Sequence, residues 1–204
     1  AALRDSGAVE TAQVQRPGSS RAQGLYRFAA LLQARVTPAA PSESSSMILP
    51  ITLALELQGP RFVATDISAV ALTIARGNAA AHEVSARITF VETPYLTGVT
   101  GPFDLIVSNP PYVRATDAPD LQPEVRDHEP AEALFGGDDG LRDIRAIVTA
   151  AGQALTPGGW LVMEFGYGQA RAVKALVEAS GTLTVSHVRH DLQDHARVVV
   201  ATRR

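Results

Sequence analysis

From Arg61 to its last residue the chain alternates two hydrophobic periodicities, and this alternation restricts the fold more than any other feature. Arg61-Phe62-Val63-Ala64-Thr65 reads as a strand that Asp66 ends, and Ser68 then caps a helix whose Ala71, Leu72, Ala75 and Ala79 share one face. Residues 87–91 and 104–107 are further strands. Ile144, Ile147, Val148, Ala151 and Leu155 mark one face of another helix, stopped by Thr156-Pro157-Gly158-Gly159. A strand over 160–165, a helix over 169–180 and two strand-like segments, 182–188 and 197–202, complete the series. Strands alternating with helices require a mostly parallel sheet covered on both faces, and the last two strands are close enough to form an antiparallel hairpin at its edge. The fold class is therefore α/β.

The N-terminal part carries less pattern. Residues 1–24 are mixed and broken by Pro17-Gly18-Ser19-Ser20, with room for a short helix at most. Residues 25–36 are ambiguous between helix and strand, residues 38–46 read as a loop, and the serines ending that loop cap a helix over 47–57 with Pro50 in its first turn. The expected organisation is a poorly specified segment over 1–24 and one domain over 25–204. A chain of 204 residues suits one such domain with a sizeable core. No apolar run approaches the roughly 18 to 20 residues that span a bilayer, so no membrane partner is expected. The first residues lack a basic stretch followed by an apolar core, and there are no cysteines, which together fit a cytoplasmic setting. The net charge of −3 and the lack of a basic tract count against broad nucleic-acid binding, although Arg114, Arg126, Arg142 and Arg145 are candidates for a local basic patch.

Two places at strand ends carry chemistry. Asn109-Pro110-Pro111-Tyr112 follows directly on the strand Asp104-Leu105-Ile106-Val107-Ser108. Proline has no N–H and pushes the preceding residue toward extended backbone, so this loop presents acceptors more readily than donors. The Asn109 side-chain oxygen and the Pro110 carbonyl suit the two N–H groups of a planar NH2, with the Tyr112 ring over its plane. Asp66 stands where an acid in a dinucleotide-type fold accepts both ribose hydroxyls, or else forms an Asx turn into the next helix. His82, His128, His187, His190 and His195 show no ligand spacing and read as surface or structural residues. Asp138 and Asp139, between glycines, read as a turn, so no metal site is expected.

Together these segments resemble the class I S-adenosylmethionine-dependent methyltransferases, and more narrowly the HemK-type release-factor glutamine N5-methyltransferases. The resemblance covers roughly Arg61 to the C-terminus. It rests on Val63-Ala64-Thr65-Asp66-Ile67-Ser68, on Asn109-Pro110-Pro111-Tyr112, and on Pro123-Glu124-Val125 leading to Glu129-Pro130. Ala133-Leu134-Phe135-Gly136-Gly137-Asp138-Asp139-Gly140-Leu141, and Pro157-Gly158-Gly159 before Glu164-Phe165-Gly166, complete it. It implies a Rossmann-like fold, S-adenosylmethionine as cofactor, and methyl transfer to the Gly-Gly-Gln glutamine of a class 1 peptide chain release factor. By position it also implies catalytic roles for Asn109, Pro110, Pro111 and Tyr112, and cofactor contacts from Asp66, Ile67, Tyr95 and Asn109, with Tyr95 near the adenine.

Three departures accompany the resemblance. The family's Gly-rich cofactor turn is replaced by Pro41-Ser42-Glu43-Ser44-Ser45-Ser46, with no convincing central strand directly before it. Val36-Thr37-Pro38-Ala39 instead resembles a family segment from well upstream. Pro94 stands where an acid is usual and Asp194 where a glycine is usual. Two other functions therefore stay open: amino-methylation of an exocyclic base amine in DNA or RNA, and a catalytically silent fold that binds protein through the Asn109 loop.

Overall fold

The computed structural model describes residues 27–32, 48–120 and 131–204. Residues 1–24, the loop with Ser42 to Ser46, Val36-Thr37-Pro38-Ala39, Pro123 to Pro130, Arg126 and His128 lie outside them.

Seven strands form one sheet in the order β3-β2-β1-β4-β5-β7-β6. β1 (Arg27–Leu32), β2 (Arg61–Asp66), β3 (Ile88–Glu92), β4 (Phe103–Asn109) and β5 (Leu155–Glu164) run parallel, and β6 (Leu183–His190) and β7 (Ala196–Arg203) close the edge as an antiparallel hairpin. The described helices are α1 (Ile48–Glu56), α2 (Ala69–Ala81), the single turn α3 (Ala131–Leu134), α4 (Arg142–Ala154) and α5 (Ala170–Ala179).

Local sequence explains most of these elements. Ser68 accepts the Ala71 N–H at 3.2 Å and starts α2, whose buried residues are Ala71, Leu72, Ala75 and Ala79. In α4 the expected stripe of Ile144, Ile147, Val148 and Ala151 is buried, and so are Asp143 and Gly152. Gly152 has no room for a side chain, since a Cβ there would lie 2.2 Å from the Thr182 Oγ1. Two cores result. One joins α1 and α2 to the sheet through Ile51, Phe62, Leu72 and Ile88, and the other joins α4 and α5 to it through Ile106, Ile144, Leu161 and Val173.

The structure completes two readings. The central strand is present: Arg27–Leu32, inside the segment that reads ambiguously, pairs with β2 on one side and β4 on the other. Its Ala-Ala-Leu-Leu is as good a helix former as a strand, and pairing on both sides overrides propensity. Thr156-Pro157-Gly158-Gly159 is also more than a helix stop. β5 begins at Leu155, opposite Phe103, and its next partner to β4 is Trp160, so residues 156–159 are looped out of the ladder. Gly158 makes that loop at φ +77°.

Candidate active site

Register places Asp66 and Asn109 level with one another at the carboxyl edge of the sheet. Leu31 pairs with Thr65 on one side and Ser108 on the other, and Leu32 pairs with Asn109. Asp66 and Asn109 therefore stand two strand spacings apart, about 10 Å, across the end of β1. The strand order reverses at this point, with β2 and β3 on one side and β4 and β5 on the other, which makes it the crevice where open α/β sheets bind ligands.

Asn109 is the last residue of β4. Its Oδ1 is buried and has no hydrogen-bond partner among the described residues. An unsatisfied buried acceptor costs about 1 to 3 kcal/mol, which a bound N–H would recover. Pro110 and Pro111 are buried behind it. The loop then docks on the segment that follows α3: Val113 N–H donates to Leu134 O at 2.9 Å, Gly136 N–H donates to Val113 O at 3.0 Å, and Val113 and Phe135 form a parallel bridge.

Glycine is required where these backbones meet. A Cβ on Gly136 would lie 2.6 Å from the Pro111 carbonyl, and one on Gly140, at φ +70°, would lie 2.3 Å from the Tyr112 carbonyl. Tyr112 is held at both ends. Its hydroxyl donates to Glu164 Oε1 at 3.0 Å, and its carbonyl accepts from Gln169 Nε2 at 2.9 Å. The Glu164 and Gln169 contacts have no local signal; a glutamine at the start of a helix gives no hint of what its side chain will reach.

On the other side of β1, Asp66 is only 2% exposed and its Oδ1 accepts the Ser68 N–H at 2.7 Å, the Asx turn into α2. Its carbonyl accepts the Thr93 N–H at 3.0 Å. Ile67, beside it, is exposed. Tyr95 adopts φ 51°, with its carbonyl taking the Thr65 hydroxyl at 2.6 Å and its own hydroxyl donating to Asp143 Oδ1 at 2.6 Å. Burial, then the bond to the Asp143 carboxylate, push the Tyr95 phenol up to about 12. Its ring lines an open groove against α4 with Thr97, Arg142 and Thr149. Pro94 is exposed and its carbonyl accepts the Thr97 N–H at 3.1 Å.

The remaining candidates have local roles. Asp139 Oδ1 accepts the Leu141 N–H at 3.0 Å, and Arg145 spans both its oxygens, which lowers the Asp139 carboxyl below its ordinary range. Arg142 donates to Phe135 O and to Asp143, so Arg142, like Arg145, is paired within the chain. Asp194, where the family pattern has glycine, sits at φ 61° in the β6–β7 turn, the left-handed backbone that glycine adopts without strain.

Residues 48–124 match the methyltransferase small domain family. The chain is 44% identical over 153 residues to the release factor glutamine methyltransferase of Bradyrhizobium diazoefficiens, covering 74% of this chain and 52% of that protein. It is 40% identical over 158 residues to that of Xylella fastidiosa strain 9a5c, covering 77% of this chain and 56% of the relative. The chain carries a match to the methyltransferase small domain and is similar to release factor glutamine methyltransferases. It spans about half the length of the curated relatives it matches. Among solved structures, the ribosomal protein L11 methylase of Lactobacillus delbrueckii subsp. bulgaricus superposes with a TM-score of 0.60 at 19% identity, over 89% of this chain and 71% of that one. The hMettl16 catalytic domain in complex with MAT2A 3′UTR hairpin 6 gives 0.63 at 17%, over 86% and 63%. At such identities these two speak for the class I methyltransferase fold alone. The Asn109 loop and the Gly136 to Leu141 segment, separated in sequence, are joined backbone to backbone beside the crevice.

Proposed function

We propose that this chain methylates the side-chain amide nitrogen of the glutamine in the Gly-Gly-Gln motif of a class 1 peptide chain release factor, in the cytoplasm, with S-adenosylmethionine as donor. The buried Oδ1 of Asn109, which has no hydrogen-bond partner among the described residues, carries the reading. It is an acceptor on a residue at the switch point, and a primary amide offers the N–H it lacks. The 44% identity to a release factor glutamine methyltransferase supports the substrate class.

The residues beyond β2 fit that donor. Asp66 supplies a carboxylate for hydroxyl groups, and exposed Ile67 an apolar cover for a flat base. When bound, S-adenosylmethionine supplies an electrophilic methyl group and leaves as a neutral thioether. The chain's own contribution is position and charge. An amide nitrogen is a poor nucleophile because its lone pair is delocalised, so holding it in line is the main requirement, and effective molarities for well-oriented groups correspond to about 7 to 11 kcal/mol of barrier. Asn109 Oδ1 accepts one N–H and holds it more strongly as the nitrogen becomes positive in the transition state. A proton on an alkylated amide nitrogen is strongly acidic and passes to water, so no general base is required of the chain.

Calorimetric titration with S-adenosylmethionine, followed by transfer of labelled methyl to a release factor, tests this reading. Binding and incorporation at the Gly-Gly-Gln glutamine are expected. No heat at millimolar donor removes the methyltransferase assignment, and preferential methylation of an adenine-containing oligonucleotide moves the substrate to a base amine.

A further inference from the structure

We propose that Gln169 is a positioning residue for methyl transfer, tying three separate loops into one rigid backing for the Asn109 loop; this rests on the function proposed above. Gln169 stands at the N-terminal cap position of α5, yet its side chain makes no capping bond to that helix. It turns into the interior, where it is 4% exposed. Its Oε1 accepts the Gly166 N–H at 2.8 Å, from the turn after β5. Its Nε2 donates to Tyr112 O at 2.9 Å and reaches Gly140 O at 3.4 Å. One amide thus uses both its donor and acceptor faces to join the Asn-Pro-Pro-Tyr loop, the Gly136 to Leu141 segment and the end of β5.

Two glycines leave the space this requires. A Cβ on Gly140 would lie 2.6 Å from Gln169 Nε2, and one on Gly166 would lie 2.9 Å from Gln169 Oε1. Tyr112 is then fixed by its carbonyl through Gln169 and by its hydroxyl through Glu164, leaving Asn109, three residues earlier, little freedom to tilt. Gln169 touches no reacting atom. It acts through the alignment of Asn109, where a shift of about 1 Å costs on the order of a hundredfold in rate.

Gln169→Glu is the sharpest test. It keeps the volume and the bond from Gly166 but sets a second oxygen against the carbonyls of Tyr112 and Gly140. The expected outcome, at a temperature where both proteins are folded, is a fall of about 30-fold in kcat for methyl transfer to a release factor. KM for the release factor and Kd for S-adenosylmethionine should stay within about threefold of the unsubstituted chain. A kcat within twofold, or a loss confined to KM or Kd, would overturn the inference. Hydrogen exchange keeps it separate from the substrate assignment. If the unsubstituted chain methylates no release factor, that assignment fails, while the lock itself still predicts about tenfold faster exchange of the Val113 and Gly136 amides in the Glu variant. Unchanged exchange there counts against the lock. Should the variant not fold, the unsubstituted chain decides: slow exchange of the Gln169 side-chain amide protons supports the lock and fast exchange overturns it.

Discussion

The two flanks of the crevice are built differently. Beyond β4 the wall is backbone against backbone: the carbonyls of Pro111 and Tyr112 press on Gly136 and Gly140 so closely that no Cβ fits, and a buried glutamine joins the layers. Beyond β2 side-chain bonds carry more of the structure, from Thr65 to Tyr95 O, from Tyr95 to Asp143, and from Ser68 N–H to Asp66, beside backbone bonds such as Thr93 N–H to Asp66 O. A wall of packed backbone cannot adjust by changing rotamers, whereas one held by side chains can. Under the function proposed above, the flank that aligns a weak nucleophile is the rigid one and the flank that binds the donor is the adjustable one.

Substitutions on each flank test that contrast, and the largest effect is expected at Asn109. Asn109→Ala removes the unpartnered acceptor and should lower kcat by about a thousandfold while leaving S-adenosylmethionine affinity within about threefold, in single-turnover and calorimetric measurements. Equal losses of both would mean the flanks are not separable. Gly140→Ala comes next. With φ +70° and a contact of 2.3 Å to backbone, it should cost about 3 kcal/mol or more in urea unfolding. Gly158, also at positive φ but with nothing within 4 Å of a Cβ, should cost only about 1 kcal/mol by the same measurement.

On the adjustable flank the effects shrink. Asp66→Asn keeps an oxygen for the Ser68 N–H but loses the charge, so the melting temperature should hardly move while S-adenosylmethionine affinity falls about tenfold. Unchanged affinity would remove Asp66 from the cofactor contacts. Tyr95→Phe should cost about 1 kcal/mol at neutral pH. It also has a pH signature. The folded phenol titrates at about 12, above the ordinary 10.0, so the stability it contributes is complete below pH 10 and is lost as pH rises from there through 12. The Phe variant should lack that part of the alkaline decline, and identical alkaline unfolding curves would show that the Asp143 bond does not matter. Gly77→Ala should stabilise α2 by about 0.5 to 1 kcal/mol, because a Cβ there meets nothing within 4 Å.

The legible parts of the fold were those with local causes. Ser68 as cap and the buried stripes of α2 and α4 follow from periodicity and hydrogen-bonding chemistry within one turn. Asp66 and Asn109 could be found because strand ends can be found. What escaped depended on distant residues. Arg27–Leu32 has no strand signature of its own and becomes the central strand only because β2 and β4 offer it hydrogen bonds on both sides. Tyr95 shows an aromatic at the right place but not that its hydroxyl would find Asp143, on a helix reached 48 positions later.

Sequence alone determined the order of strands and helices from Arg61 onward and the acid and the amide at two strand ends, since each is a property of a residue and its near neighbours. The tertiary structure decided that Asp66 and Asn109 stand level on either side of β1, that the Asn109 oxygen has no hydrogen-bond partner among the described residues, and that Gln169 spans three loops. These are outcomes of which surfaces exclude water and which polar groups then remain to be paired, and that count exists only once the chain has closed on itself.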